Sequence, residues 1–322
     1  EALMAGRWHG DRRVRASVLL ALVALALVAL AAVAREAGAW AIVQAPNHGG
    51  APRASPVPDD VVAVVRAEGR SPAVTLEAWV LEPAAPRGTT LVLHGIRDHK
   101  GSMLAIGRAL REAGQRAVLV DLRGHGASSG QWLTYGVHES RDLVALVDQL
   151  EALGLVTPPI SVYGPSYGGA VALQAAAPAQ RIEAVVSVST FASLRAVVPP
   201  YAARIVPVIG AVLPAALIDL VVDDAGTLGG FSPDAADTTR AIRAARARVL
   251  LIHGEADEDV PFEHARALRA ACRDGACELL ALAGADHGGA LGAPETIRAT
   301  LAFIARGDGD GETMAGAVGR GR

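Results

Sequence analysis

Gly164-Pro165-Ser166-Tyr167-Gly168-Gly169 sets a serine among small residues, directly after the apolar run Ile160 to Tyr163 and at the head of a small-residue segment. A serine oxygen becomes a usable nucleophile when a tight strand-to-helix turn holds it clear of a sheet. Such a turn has no space for bulky neighbours. The same Gly-x-Ser-x-Gly spacing recurs at Gly126-Ala127-Ser128-Ser129-Gly130. There several loop residues intervene after the strand, and Gln131-Trp132-Leu133-Thr134 opens a closely packed helix poorly, so context selects Ser166 over Ser128.

A serine nucleophile needs a base and an acid that orients it. His287 lies in the glycine-flanked loop Gly284-Ala285-Asp286-His287-Gly288, after the last apolar run, and is the expected base. Asp286 beside it reads as a loop cap. For the acid, Glu255, Asp257, Glu258 and Asp259 compete after Val249 to Ile252. Crowded carboxylates repel when buried together, so one should face the histidine while the others meet solvent. Asp257 is preferred over Asp259, with Glu255 third. Two backbone N–H groups should hold a developing oxyanion: that of Tyr167, and that of Ile96 or next Arg97 in His94-Gly95-Ile96-Arg97. Pro165 has no N–H to give. His94 reads as structural, and Asp98, His99 and Lys100 as a solvated loop.

These residues must be placed by an alternating chain of strands and helices. Val61 to Ala67 and Val74 to Leu81 read as an antiparallel opening hairpin. Thr89 to Leu93, Ala117 to Asp121, Ile160 to Tyr163, Ala184 to Ser189, Val249 to Ile252 and Glu278 to Leu282 read as strands buried on both faces of a mostly parallel sheet. Helices are expected at Met103 to Ala113, Glu139 to Leu153, Gly168 to Ala177, Glu263 to Ala271 and Glu295 to Ala305, with Gly114 and Gly154 as C-terminal caps. The long interval over 191–247, with Pro199-Pro200, Pro207 and Pro214, reads as a cap of short broken helices. Its Val197, Val198, Ile205, Val208, Ile209, Val212 and Leu213 offer an apolar pocket or membrane-facing surface.

With these motifs in hand, the chain resembles the α/β-hydrolase superfamily from about Val61 to Ala305. Leu119-Val120-Asp121-Leu122-Arg123-Gly124-His125-Gly126-Ala127-Ser128 and Tyr135-Gly136 followed by Glu139 and Asp142 add to the likeness. They are similar to small bacterial esterases and to serine aminopeptidase or monoacylglycerol-lipase-like proteins, some of them membrane-tethered. The resemblance implies an α/β fold and two-step acyl transfer by Ser166, His287 and Asp257. It implies no cofactor or metal, and leaves Arg123 and His125 to hold their loop. A carboxylic ester, lipid-like where the cap is apolar, is the first substrate class. An aminopeptidase, amidase or thioesterase is the alternative, with Asp219, Asp223 or Asp224 to capture a substrate amine. A silent binding scaffold is the reading from another class.

The 322 residues carry a formal net charge of −3, with 51% hydrophobic and 20% charged residues, which fits a folded domain and points to no nucleic-acid partner. Oligomeric state is not legible. Residues 14–34 are apolar apart from Arg15 and Ser17, and Arg7, Arg12 and Arg13 precede them. That is a transmembrane anchor with residues 1–13 cytoplasmic and the remainder exported, or a signal segment cleaved near Ala34 or Ala39. Residues 35–60 read as a linker, 61–306 as the α/β domain and 307–322 as a disordered tail. Cys272 and Cys277 flank an Asp274-Gly275 turn that would allow a local disulfide in an oxidising compartment.

Overall fold

The computed structural model describes residues 2–70, 73–205 and 214–306, with side chains from Val14 onward. Eight strands form one sheet: β1 (Ala63–Glu68), β2 (Thr75–Leu81), β3 (Gly88–Val92), β4 (Gln115–Asp121), β5 (Ile160–Pro165), β6 (Ile182–Val188), β7 (Arg248–Gly254) and β8 (Cys277–Leu282). Their order is β1-β2-β4-β3-β5-β6-β7-β8; β1 and β2 are antiparallel to their neighbours, and the others run parallel. The continuous apolar runs have a physical reason, since β4 and β5 are buried along their whole length. Alternate residues feed two cores: Leu91, Val118 and Val120 on one face, Val92, Ala117 and Leu119 on the other.

Helix α1 is Ala2–Val43, α2 Leu104–Glu112, α3 Glu139–Ala152 and α4 Tyr167–Ala176. The cap holds α5 (Leu194–Ile205), α6 (Ala215–Gly229) and α7 (Thr238–Ala244). After β7 come α8 (Glu263–Ala271), α9 (His287–Gly292) and α10 (Pro294–Ala305). Leu143, Leu146 and Leu173 of α3 and α4 fill the first core; Ile106 and Leu110 of α2 with Phe303 and Ile304 of α10 fill the second. Gly114 and Gly154 take the left-handed φ of +82° and +71° that ends a helix.

Three expectations change. Residues 35–60 are not a free leash: α1 continues through Arg35 to Val43, and Ala39 and Val43 are wholly buried in the first core. Asn47 donates from its N–H to Gly124 O (3.0 Å) and from Nδ2 to Ser128 O (2.8 Å), and Asp60 pairs with Arg108 and Arg111. Composition suggested a linker, but specific hydrogen bonds fix its path. Second, α5 runs through Pro199 and Pro200 without a break. Third, Lys100, the chain's sole lysine, is buried and ion-paired with Asp121 and, at 3.1 Å, with Glu77, its Nζ lying 4.6 Å from the Trp79 ring centre. Only Asp98 and His99 of that loop stay exposed or partly so.

Of the apolar cap residues, Val197 is buried, Val198 half-buried and Ile205 exposed; Val208, Ile209, Val212 and Leu213 lie outside the described residues, as does the tail 307–322. Cys272 and Cys277 are joined, their Cα atoms 6.1 Å apart across a turn in which Gly275 has φ of +74°.

Candidate active site

Ser166 occupies the one-residue junction between β5 and α4, with φ 50° and ψ −113°. A side chain rarely accepts this left-handed backbone, and the surrounding packing enforces it. The Ser166 N–H donates to Val188 O at 2.6 Å, tying the junction to the end of β6. The flanking glycines are sterically required: a Cβ on Gly164 would lie 2.4 Å from the Gly168 carbonyl, and one on Gly169 would lie 2.0 Å from Thr190 Oγ1.

Behind the junction Tyr167 is fully buried and donates its hydroxyl to Glu139 Oε1 at 2.8 Å. Glu139 also accepts from the Thr134 N–H (2.9 Å), the Thr134 hydroxyl (2.6 Å) and the Gly136 N–H (2.9 Å), so one buried carboxylate binds the helix head to the loop before α3. Burial, then the Glu139 charge, holds the Tyr167 hydroxyl well above its ordinary pKa. The role of Glu139 was not read from sequence; its signal is an acidic residue soon after Tyr135-Gly136 at a helix start.

His94 in the loop after β3 and His125 in the loop after β4 are buried and stacked edge to face, their ring centres 4.7 Å apart. His94 Nε2 accepts from the Leu122 N–H (3.0 Å), and His125 Nε2 accepts from the Arg97 N–H (3.1 Å). Each donates its Nδ1–H to a carbonyl, that of Gly95 (2.7 Å) and that of Arg123 (2.9 Å). Desolvation pushes their pKa values down to about 4 and about 3, so both are neutral spacers that fix the loop. Because the Arg97 N–H is taken, Ile96 is the better candidate of the two for facing a substrate. Arg123 holds Asp142 through two buried bonds of 2.6 and 2.9 Å.

Ser128, in the rival motif, is wholly buried. Its hydroxyl donates to Asp121 O (2.7 Å) and accepts from the Glu77 N–H (2.9 Å), filling a gap between β4 and β2.

At the far side, Asp257 follows β7 and His287 follows β8. Asp257 is buried; its Oδ2 accepts from His287 Nδ1 at 2.8 Å, and its Oδ1 accepts the N–H groups of Asp259 (3.0 Å) and Val260 (2.8 Å). Burial alone would raise this carboxyl, but the hydrogen bonds from His287 and Val260 outweigh it and keep it below the usual carboxylate value. Asp259 points elsewhere, to Arg204 of α5 at 2.5 Å. Asp286 accepts from the Gly289 N–H (2.6 Å) and caps α9. Ligand atoms of Asp257, Asp259 and His287 lie within 4.8 Å of one another, but those of Asp257 and Asp259 are already engaged by His287 and Arg204. The set thus has the form of an acid–base pair. It borders a cavity of about 280 Å3 lined by Arg204, Glu258, Asp259, Asp286 and His287.

Residues 84–232 match the serine aminopeptidase S33 family, Hydrolase_4. Among solved structures, the chain is similar to the Pyrococcus furiosus esterase Pf2001 (20% identity, TM-score 0.62, 82% of this chain and 96% of that one). It is also similar to Est1E from Butyrivibrio proteoclasticus, solved with ferulic acid bound (21%, TM-score 0.54, 74% and 99%). A bromoperoxidase from Bacillus anthracis has the same fold (20%, TM-score 0.54, 75% and 99%). No curated protein sequence matches the chain. A sheet in this order, covered on both faces and shared with these structures, gives the chain the α/β-hydrolase fold, and the sequence match over residues 84–232 agrees with it.

Proposed function

We propose that the protein is a serine hydrolase that cleaves carboxylic esters, with Ser166 as nucleophile, His287 as base and Asp257 as the orienting acid. The observation that carries this reading is the buried Asp257 bound to His287 Nδ1, which leaves Nε2 to receive a proton. His287 takes the Ser166 hydroxyl proton as Oγ attacks the carbonyl carbon. The backbone N–H groups of Ile96 and Tyr167 hold the oxyanion, and the returned proton leaves with the alcohol. Water, activated by the same histidine, then releases the acid and restores the serine. The chain's own residues supply every proton transfer, so the reading calls for no cofactor.

Ester is favoured over amine-terminated amide by the cap. Asp224 is held by Arg35 (Nη2 to Oδ1, 2.6 Å), while Asp223 at 2.6 Å and Asp219 at 3.5 Å share Arg195. Asp223 and Asp224 are therefore each engaged by an arginine, Arg195 also serving Asp234 at 2.6 Å, and only Asp219 keeps a loose contact. In this reading α1 anchors the protein with the catalytic domain outside the cytoplasm. The test is fluorophosphonate labelling with a panel of p-nitrophenyl esters beside aminoacyl amides. Labelling and ester turnover that vanish in Ser166→Ala support the reading. Amide turnover exceeding ester turnover moves it to the peptidase branch, and an unlabelled folded protein makes it a scaffold.

A further inference from the structure

The geometry points to a site held at the bilayer surface by the anchor helix itself, so that its ester substrate is an amphiphile drawn from the same membrane. This rests on the esterase reading above and on α1 as a membrane anchor.

Val14 to Val33 is twenty residues by number, about 30 Å of helix at 1.5 Å per residue, which matches a bilayer's hydrocarbon thickness. Its large side chains are exposed, Val33 still by 63%. The helix does not then pass into a flexible leash. Arg35 pairs with Asp224 on α6, and a Cβ on Gly38 would lie 3.0 Å from Val221 Cγ1, so α1 and α6 are in close contact. The last turn is fastened to the site. Arg97, next to Ile96, donates to Ala41 O (2.6 Å); the Tyr135 hydroxyl donates to Ile42 O (2.8 Å); and the Leu133 N–H donates to Val43 O (2.8 Å). Tyr135 in turn stacks on Tyr167, ring centres 5.6 Å apart. Carbonyls that a helix end leaves open are thus satisfied by the walls of the site.

From Val33 to Ala41 the helix rises only about 12 Å, so this loop sits just beyond the headgroup layer. Trp40 packs on Trp132 (5.0 Å) and His48 (4.8 Å) at this end, an aromatic cluster that fastens the docked turn to the domain. Leu220 of α6, the helix packed on α1, is an exposed apolar group. A flexible linker over residues 35–60, as the composition suggests, would instead let the domain wander by roughly 25–30 Å. The cavity beside His287 carries Glu258, Asp259 and Asp286 against Arg204 alone, which disfavours an anionic headgroup.

The test uses the full chain reconstituted in phosphatidylcholine vesicles, with p-nitrophenyl butyrate as soluble ester and dioleoylglycerol as embedded ester. Inserting about ten Gly and Ser residues between Ala34 and Arg35 keeps the docked turn but frees the domain from the bilayer. Soluble turnover should hold within about twofold and embedded turnover should fall by about tenfold or more. A second measurement needs no variant: the wild type should cleave dioleoylglycerol in its own vesicles and not in separate ones. Equal cleavage in both vesicle populations, or embedded turnover unchanged by the insertion, would overturn the inference. Wild type that cleaves only the soluble ester overturns it and leaves the esterase reading standing; wild type that cleaves neither overturns both.

Discussion

Asp257 and Asp259 differ by two positions and by everything that surrounds them. Asp257 is buried with both oxygens bonded, one of them to His287, whereas Asp259 reaches out to Arg204 on the cap. Asp257→Asn would present an amide to His287 and favour the wrong imidazole tautomer, so kcat should fall by about four orders of magnitude in a folded protein. Asp259→Asn should cost at most about tenfold, through the cap contact alone. Steady-state turnover of a p-nitrophenyl ester checks both, and the reverse ranking would assign the acid to Asp259. The two serines separate in the same way. Ser166→Ala should remove activity by roughly a millionfold at unchanged stability. Ser128→Ala should keep turnover per folded molecule but lose about 1–3 kcal/mol in urea unfolding, because it leaves the buried Glu77 N–H without its acceptor. The position of each of these residues was legible because strand-end context is local. Lys100 was not: a polar loop in sequence says nothing of Asp121, which reaches it from the end of another strand.

At the scale of elements, the loop after β3 and the one after β4 are joined by His94 and His125, which stay neutral in the fold. Their ordinary value is 6.5, and burial takes them to about 4 and about 3. Between those values and 6.5 the unfolded chain binds protons that the native state does not. Stability is therefore complete above about pH 6.5 and declines as pH falls, by about 1.4 kcal/mol per pH unit for each histidine. His253 and His264 are shifted in the same direction, chiefly by burial, and steepen the decline. Urea unfolding at stepped pH should show this, and His125→Gln should make the slope shallower by about one proton. An unchanged slope would mean that His125 is not buried neutral. The strands themselves were readable, since burial on both faces demands continuous apolar runs. The close of α1 was not, because its partners Arg97, Tyr135 and Asp224 are 56, 93 and 189 positions away. The unbroken α5 also escaped the sequence, which shows Pro199-Pro200 and no tertiary support.

For the whole molecule, the arginines before Val14, the apolar run and the docked turn of α1 bear on one question, whether the N-terminal segment stays attached. Cleavage after Ala39 would cut through a residue wholly buried in the core and discard the Arg35 to Asp224 pair. Cleavage after Ala34 would leave Arg35 to Val43 without the helix that precedes them. The docked turn thus fits a retained anchor, and in the reading proposed above the arginine-rich end lies in the cytoplasm and the α/β domain outside. In that reading the thiols of Cys272 and Cys277 meet an oxidising compartment; their bridge closes a short loop ahead of β8, a loop length for which the chain-entropy model gives about 2 kcal/mol. Fractionation should find the full-length mass in the membrane, and protease added to spheroplasts should remove the domain. Alkylation should modify the two cysteines only after reduction, and reduction should lower stability by about that amount. A shortened soluble product would show that the segment is a cleaved signal, and a protease-protected domain would reverse the topology. Thiols that alkylate freely in exported, unreduced protein would remove the disulfide alone, because the anchor rests on α1 and its seat rather than on the redox state of a loop at the β8 edge of the sheet.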